Sequence, residues 1–264
     1  MNKLITAETI EQIFRELGEH GILTAKVRWP EQSIPDHELY RPFVRGWATF
    51  APWHKDPFIA AMINRMKQRG VISLVDVDRA WTLLSAFRQT ESLPGEVWET
   101  GVYQGGSATL LKYLIEDTHT RTAQAAPTQL RLFDSFEGLP ETSHPLDLHH
   151  GGEFGDTGLE QVIETVGKED WIDFRKGWIP ATFAGLEDTR IRFAHVDVDL
   201  YQPILDCCAF IYPRLVPGGI MVFDDYGLAS CPGARAAVDE FFRDRPECPL
   251  ALINGQCMVV RHCH

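Results

Sequence analysis

The chain has 264 residues, 44% of them hydrophobic and 23% charged, enough for one large α/β domain with an extension. A net charge of −12 argues against nucleic acid or an anionic membrane as the main partner. No apolar run approaches the roughly 20 residues that span a bilayer, and the early acids in MNKLITAETIEQIF set that segment apart from a signal peptide. The six cysteines crowd into the last quarter without a C-x-x-C pair, which suits a reduced, cytoplasmic protein.

In chain order, a helix is expected after Thr6, with Ile10, Ile13, Phe14 and Leu17 on one face. Residues 25–55 are dense in proline and aromatics, among them Trp29, Tyr40, Trp47 and Trp53. Aromatics at that density need a surface to pack on, whether the main domain, an acceptor pocket or a second subunit. Asp56 and Pro57 then open a helix that Gly70 ends. Asp76 or Asp78 caps another through Trp81, Leu84 and Phe87.

The organising stretch follows, Gly95–Ser107, GEVWETGVYQGGS. A short apolar run ends in Glu99, a glycine turn follows, and Ala108, Leu110, Leu111, Leu114 and Ile115 recur at helical spacing. This is strand, tight turn, helix, with the helix N-terminus facing whatever sits at the strand's carboxyl end. The glycines are spaced G-x-x-x-G, not as the dinucleotide fingerprint G-x-G-x-x-G. Glu99 and Asp134 end successive strands, a placement that suits the hydroxyls of a ribose.

Further strands are expected at Leu130–Phe133, Ile172–Phe174, Ile191–Val198 and Ile220–Phe223, with helices near 107–117, 158–166 and 202–212. The alternation implies a parallel sheet covered on both faces. Gly255 between Leu250–Asn254 and Gln256–Arg261 suggests an antiparallel hairpin at the sheet edge. The connection 137–157 has no apolar period and carries Asp147, His149, His150, Glu153 and Asp156; such loops often serve as lids.

Two more strands end in acids, at Asp197 and Asp199 and at Asp224 and Asp225. Carboxylates gathered at one sheet edge repel unless a cation neutralises them, and all-oxygen ligands point to Mg²⁺, with Ca²⁺ or Mn²⁺ as alternatives. The competing reading is that Asp199, Asp224 or Asp225 caps a helix. His195, within a strand, reads as a satisfied core histidine.

The strings LFDSFEGLP at 132–140, GWIPAT at 177–182, HVDVDLY at 195–201 and PGGIMVFDDYG at 217–227, together with ETGVYQGGS at 99–107, resemble the macrocin O-methyltransferase (TylF/MycF-like) family over roughly residues 90–245. The resemblance implies a Rossmann-like class I methyltransferase fold. Its sheet would be mostly parallel and seven-stranded, with an antiparallel C-terminal hairpin and an N-terminal helical and aromatic extension. Residues 1–90 would form that extension and 91–264 the catalytic domain, with the lid at 137–157.

It further implies S-adenosylmethionine and Mg²⁺ as cofactors and a small-molecule hydroxyl, such as a sugar's, as acceptor. Glu99, Thr100, Gly101, Tyr103, Gly105 and Ser107 would line the methionine side of the cofactor. Asp134, Ser135 and Phe136 would meet the ribose and adenine, with Asp197 adjacent. Asp197, Asp224 and Asp225 would hold the metal. Asp197, His149 or His150 would accept the acceptor's proton. A homo-oligomer is expected from the aromatic N-terminal section. The rival readings are a nicotinamide-dependent oxidoreductase and a non-catalytic binder of the same cofactor.

Overall fold

The computed structural model describes residues 52–263, apart from residue 55 and residues 123–125. All of these lie within one compact unit, residues 40–264. The helix expected after Thr6 and the aromatic stretch up to residue 51 lie outside the described residues.

Seven strands form one sheet: β1 (Glu96–Thr100), β2 (Leu130–Asp134), β3 (Ile172–Lys176), β4 (Ile191–Val196), β5 (Leu215–Phe223), β6 (Leu250–Ala251) and β7 (Cys257–Val260). Their order is β3-β2-β1-β4-β5-β7-β6. Strands β1 to β5 run parallel, and β7 pairs antiparallel with both β5 and β6. This is the Rossmann-like sheet with a terminal hairpin that the sequence implies. The reversal of strand order beside β1 creates a crevice at the carboxyl ends of β1 and β4, where ligands bind in such sheets.

Among the described residues, six helices flank the sheet: α1 (Pro57–Gln68), α2 (Val77–Thr90), α3 (Gly106–Thr122), α4 (Leu159–Val166), α5 (Tyr201–Ile211) and α6 (Pro232–Phe242). The Asp56 carboxylate caps α1, accepting from the Phe58 and Ile59 amides at 2.8 and 3.1 Å. Helix α2 begins after Asp76, whose side chain makes no capping bond. Leu83, Leu84 and Phe87 of α2 are fully buried with Val97 of β1 and Phe193 of β4 in one apolar cluster, each contributing about 1.5–3 kcal/mol. Helices α5 and α6 pack on the opposite face, around Trp98, Phe133 and Phe223.

Three boundaries differ from expectation. Strand β4 stops at Val196, before Asp197, and Asp199 adopts a left-handed φ of 57°. Strand β5 starts at Leu215, because Leu215 already pairs with Ile191 across an irregularity in the register. The outer hairpin strand is only two residues long. Helix α6, with Pro232 in its first turn but no side-chain cap, is an addition to the expected elements.

Candidate active site

A cavity of about 340 Å³ opens at the carboxyl ends of β1, β2, β4 and β5, under the connection 137–157. Its floor is the β1–α3 turn. Gly101 has a φ of 82°, and a Cβ there would lie 1.5 Å from the Asp197 carbonyl oxygen. Only glycine lets β1 leave the sheet so close to the end of β4. The N-terminus of α3, at Gly106 and Ser107, lines the cavity and presents the positive end of the helix dipole to it. A Cβ on Gly106 would strike Ser73, so the segment 71–75 crosses directly over this helix start.

Of the residues expected at the cofactor, Gly101, Tyr103, Ser107, Asp134, Ser135 and Asp197 line the cavity. Glu99, Thr100, Gly105 and Phe136 are buried behind its wall. Glu99 points into the sheet at His195, and a Cβ on Gly105 would already crowd Val166 of α4. Asp134 faces the cavity yet is tied to backbone: one oxygen accepts from the Val102 and Tyr103 amides at 2.6 and 3.0 Å, the other from Phe136 at 2.6 Å. Trp178, Ile179 and Pro203 supply a flat apolar wall.

The opposite wall carries Asp197, Asp199, Asp224 and Asp225. One ligand atom from each of His195, Asp197 and Asp224 lies within 4.8 Å of the others. His195 is buried and bridges two acids, with Nδ1 at 2.9 Å from Glu99 and Nε2 at 3.3 Å from Asp224. Gln256 donates to Asp224 at 2.6 Å, and Arg79 pairs with the other Asp224 oxygen. The Asp225 carboxylate accepts from the Asp199 amide at 3.0 Å. Among the described residues, no hydrogen bond reaches the Asp197 carboxylate.

The helix-cap alternative does not describe these acids. Helix α6 has no side-chain cap, and the Tyr201 amide at the start of α5 is capped by Asp147 of the lid at 2.9 Å.

The electrostatics follow from this crowding. Burial, then the charges of Asp224 and Asp225, push Asp197 well above the carboxylate range. Burial and Asp197 raise Asp199 to about 7. Burial, Asp199 and Asp224 raise Asp225. Asp224 is the exception: burial opposes its charge, but the hydrogen bond and charge of His195, with Arg79, hold it low. The same two acids outweigh burial at His195 and raise its pKa. Four clustered carboxylates thus face one guanidinium and one imidazolium. The raised pKa values of Asp197, Asp199 and Asp225 record, besides burial, mutual repulsion that a cation would relieve, and the oxygen donors fit a hard divalent one.

The connection 137–157 is fastened on both sides. The Leu139 amide donates to the Glu153 carbonyl at 2.8 Å, and the Gly152 amide to the Leu139 carbonyl at 2.9 Å. The Tyr103 hydroxyl reaches Asp156 at 2.8 Å, and the His144 ring stacks on Tyr201 at 3.9 Å. His149 lines the cavity, whereas His150 is exposed and does not. In a loop without regular geometry, two adjacent side chains diverge, and only His149 turns inward.

Arg79, Gln256, Glu153 and Asp147 were not singled out by the sequence for these roles. Arg79 follows the acid-rich run Val75-Asp-Val-Asp78, a weak signal. Gln256 reaches Asp224 only because the β6–β7 turn brings it there, which no local pattern announces.

The profile of the macrocin-O-methyltransferase (TylF) family matches residues 79–262. The chain is 34% identical over 185 residues to the 8-demethyl-8-(2,3-dimethoxy-alpha-L-rhamnosyl)-tetracenomycin-C 4'-O-methyltransferase of Streptomyces olivaceus, a match covering 65% of this chain and 67% of that protein. It is 33% identical over 170 residues to the mycinamicin III 3''-O-methyltransferase of Micromonospora griseorubida, covering 59% and 63%. Among solved structures, the O-methyltransferase NovP shares the fold, with a TM-score of 0.64 and 23% identity over 72% of this chain and 82% of that one. The sheet order, the glycine turn and the motif strings agree with these matches: the chain belongs to the TylF macrocin-O-methyltransferase family of S-adenosylmethionine-dependent O-methyltransferases.

Proposed function

We propose that this protein methylates a hydroxyl of a small glycosylated or polyhydroxylated metabolite, in a metal-assisted reaction at the Asp197 wall of the cavity. One observation supports the reading: Asp197, a carboxylate without a hydrogen-bond partner among the described residues, lines the same cavity as a helix N-terminus and an apolar wall. The names of the relatives, a rhamnosyl-tetracenomycin-C 4'-O-methyltransferase and a mycinamicin III 3''-O-methyltransferase, support the acceptor class.

S-adenosylmethionine, when bound, supplies a methyl group already activated on a sulfonium. Gly106 and Ser107 would receive its carboxylate, and Trp178, Ile179 and Pro203 its adenine. A divalent cation held by Asp197, Asp224 and Asp225 would lower the pKa of the acceptor hydroxyl.

The chain's own part is to position groups and move one proton. Asp197 takes the hydroxyl proton on a carboxylate oxygen, a role its place on the cavity wall suits. His195 stays protonated between Glu99 and Asp224 and fixes the strand ends beneath the site. Arg79 anchors Asp224 from α2. The lid, held through Tyr103, Gln104 and Asp156, keeps water from the methyl group. His149 is second to Asp197 as proton acceptor, because its Nε2 faces Asp199 and Cys231.

Residues 1–90 and the lid are assigned to acceptor selection; Ile72 and Leu74, half-exposed at the cavity mouth, support this. The same N-terminal section is assigned to contacts within a homo-oligomer.

The test is methyl transfer followed by product mass across a panel of glycosylated metabolites, with the Asp197→Asn variant and a chelator alongside. The variant is expected to lose about 10²–10⁴-fold in kcat while retaining its melting temperature. Full activity in the variant would exclude Asp197 as proton acceptor. Full activity in chelator would exclude the cation.

A further inference from the structure

A second group of metal-ligating side chains, beside Asp197, Asp224 and Asp225 but sharing no member with them, lies where the connection 137–157 meets the sheet. His149 of the lid, Asp199 after β4 and Cys231 before α6 each turn one donor atom toward a common point. The Cys231 sulfur lies 3.4 Å from His149 Nε2 and 3.5 Å from Asp199 Oδ1, and those two are 3.8 Å apart.

These separations are close to those of a tetrahedral zinc site. Zn–S bonds of about 2.3 Å and Zn–N and Zn–O bonds of about 2.0–2.1 Å place tetrahedral ligand atoms roughly 3.3–3.6 Å apart. The outer ligand shell is also built. His149 Nδ1 sits 2.6 Å from Glu153 Oε2, so Nδ1–H donates to that carboxylate and the Nε2 lone pair is directed at the common point. A carboxylate behind a histidine in this way is the usual support of a metal-bound imidazole.

Hydrogen bonding alone serves the trio less well. The single thiol proton of Cys231 can go to Nε2 or to Oδ1, but not to both.

We propose that His149, Asp199 and Cys231 form a Zn²⁺ site that pins the lid to the ends of β4 and α6, with a fourth position open to the cavity. A thiolate, an imidazole and a carboxylate together select zinc over Mg²⁺, which prefers oxygen alone. Burial, with Asp225 and Asp199 nearby, keeps the thiol protonated in the metal-free chain, so binding releases a proton. The site does not depend on what the protein methylates, and its test reads the metal rather than turnover.

The test uses chelator-stripped full-length protein with the exposed Cys248 and Cys263 changed to serine, titrated with Co²⁺ as a spectroscopic substitute for Zn²⁺. One equivalent is expected to produce a near-ultraviolet thiolate-to-cobalt band and the intense visible bands of tetrahedral cobalt, both displaced by Zn²⁺. Cys231→Ser removes the thiolate band. Glu153→Gln weakens Zn²⁺ competition by about 10–100-fold. Asp224→Asn, which alters the other cluster, leaves the band intact. Circular dichroism melts verify that each variant is folded. Absence of the band in the folded parent, or its survival in Cys231→Ser, overturns the proposal.

Discussion

Glu99 shows how far a residue's chemistry can depart from its motif. It ends the string Gly95-Glu-Val-Trp-Glu99, which reads as a cofactor acid, yet its side chain is fully buried against His195. One of its oxygens has no hydrogen-bond partner among the described residues. Removing one member of a buried ion pair strands the other, so Glu99→Gln is expected to cost about 3–5 kcal/mol. The sign of its pH dependence follows from His195. Burial lowers that pKa, the bonds to Asp224 and Glu99 raise it, and the raising effects win. A raised folded pKa means that proton binding favours the folded state. The contribution is complete below about 6.5, the unfolded value, and is lost as pH rises through the folded value. The difference in melting temperature between wild type and Glu99→Gln should therefore be largest at mildly acid pH and shrink in alkali. A difference that grows with pH would show that the imidazole is neutral.

At the scale of elements, the connection 137–157 is tied to two helix starts as well as to itself. Asp147 accepts from the Tyr201 amide at 2.9 Å and from the Thr142 hydroxyl at 2.7 Å, and the Gly233 amide donates to the Leu146 carbonyl at 3.1 Å. Asp147→Ala should lower stability by about 1 kcal/mol, the usual value of a helix cap. It should also hasten proteolysis within 137–157 and raise the acceptor KM more than the cofactor Kd. Unchanged proteolysis would mean that the remaining contacts suffice.

The sequence shows that the loop is long and polar, and therefore a candidate lid. It does not show that Asp147 lands on a helix start 54 residues later. The regular elements were legible because apolar period and glycine turns are local. Helix α6 was not expected, although Pro232 stands in its first turn, and the early start of β5 depends on pairing with β4 across the sheet.

For the whole molecule, the parallel sheet gathers at one edge acids that are far apart in the chain. Asp134, Asp197, Asp199, Asp224 and Asp225 all reach the cavity because β2, β4 and β5 run the same way as β1. That gathering was readable from strand ends alone. Its partners were not: Arg79 comes from α2 and Gln256 from the antiparallel hairpin, and each meets Asp224 only in three dimensions. The resulting repulsion predicts a ligand response. After treatment with chelator and its removal, adding Mg²⁺ should raise the melting temperature of wild type and leave an Asp197→Asn, Asp224→Asn double variant unmoved. An equal rise in both would place the ion elsewhere.

The central claim is that this cavity receives a methyl donor and serves a hydroxyl acceptor. Its most direct measurement is a calorimetric titration of the protein with S-adenosylhomocysteine, run beside NAD. The account predicts one-to-one binding of S-adenosylhomocysteine, weakened at least tenfold by Trp178→Ala, and no heat from NAD. Binding of NAD, or failure to bind S-adenosylhomocysteine by folded protein, would contradict it.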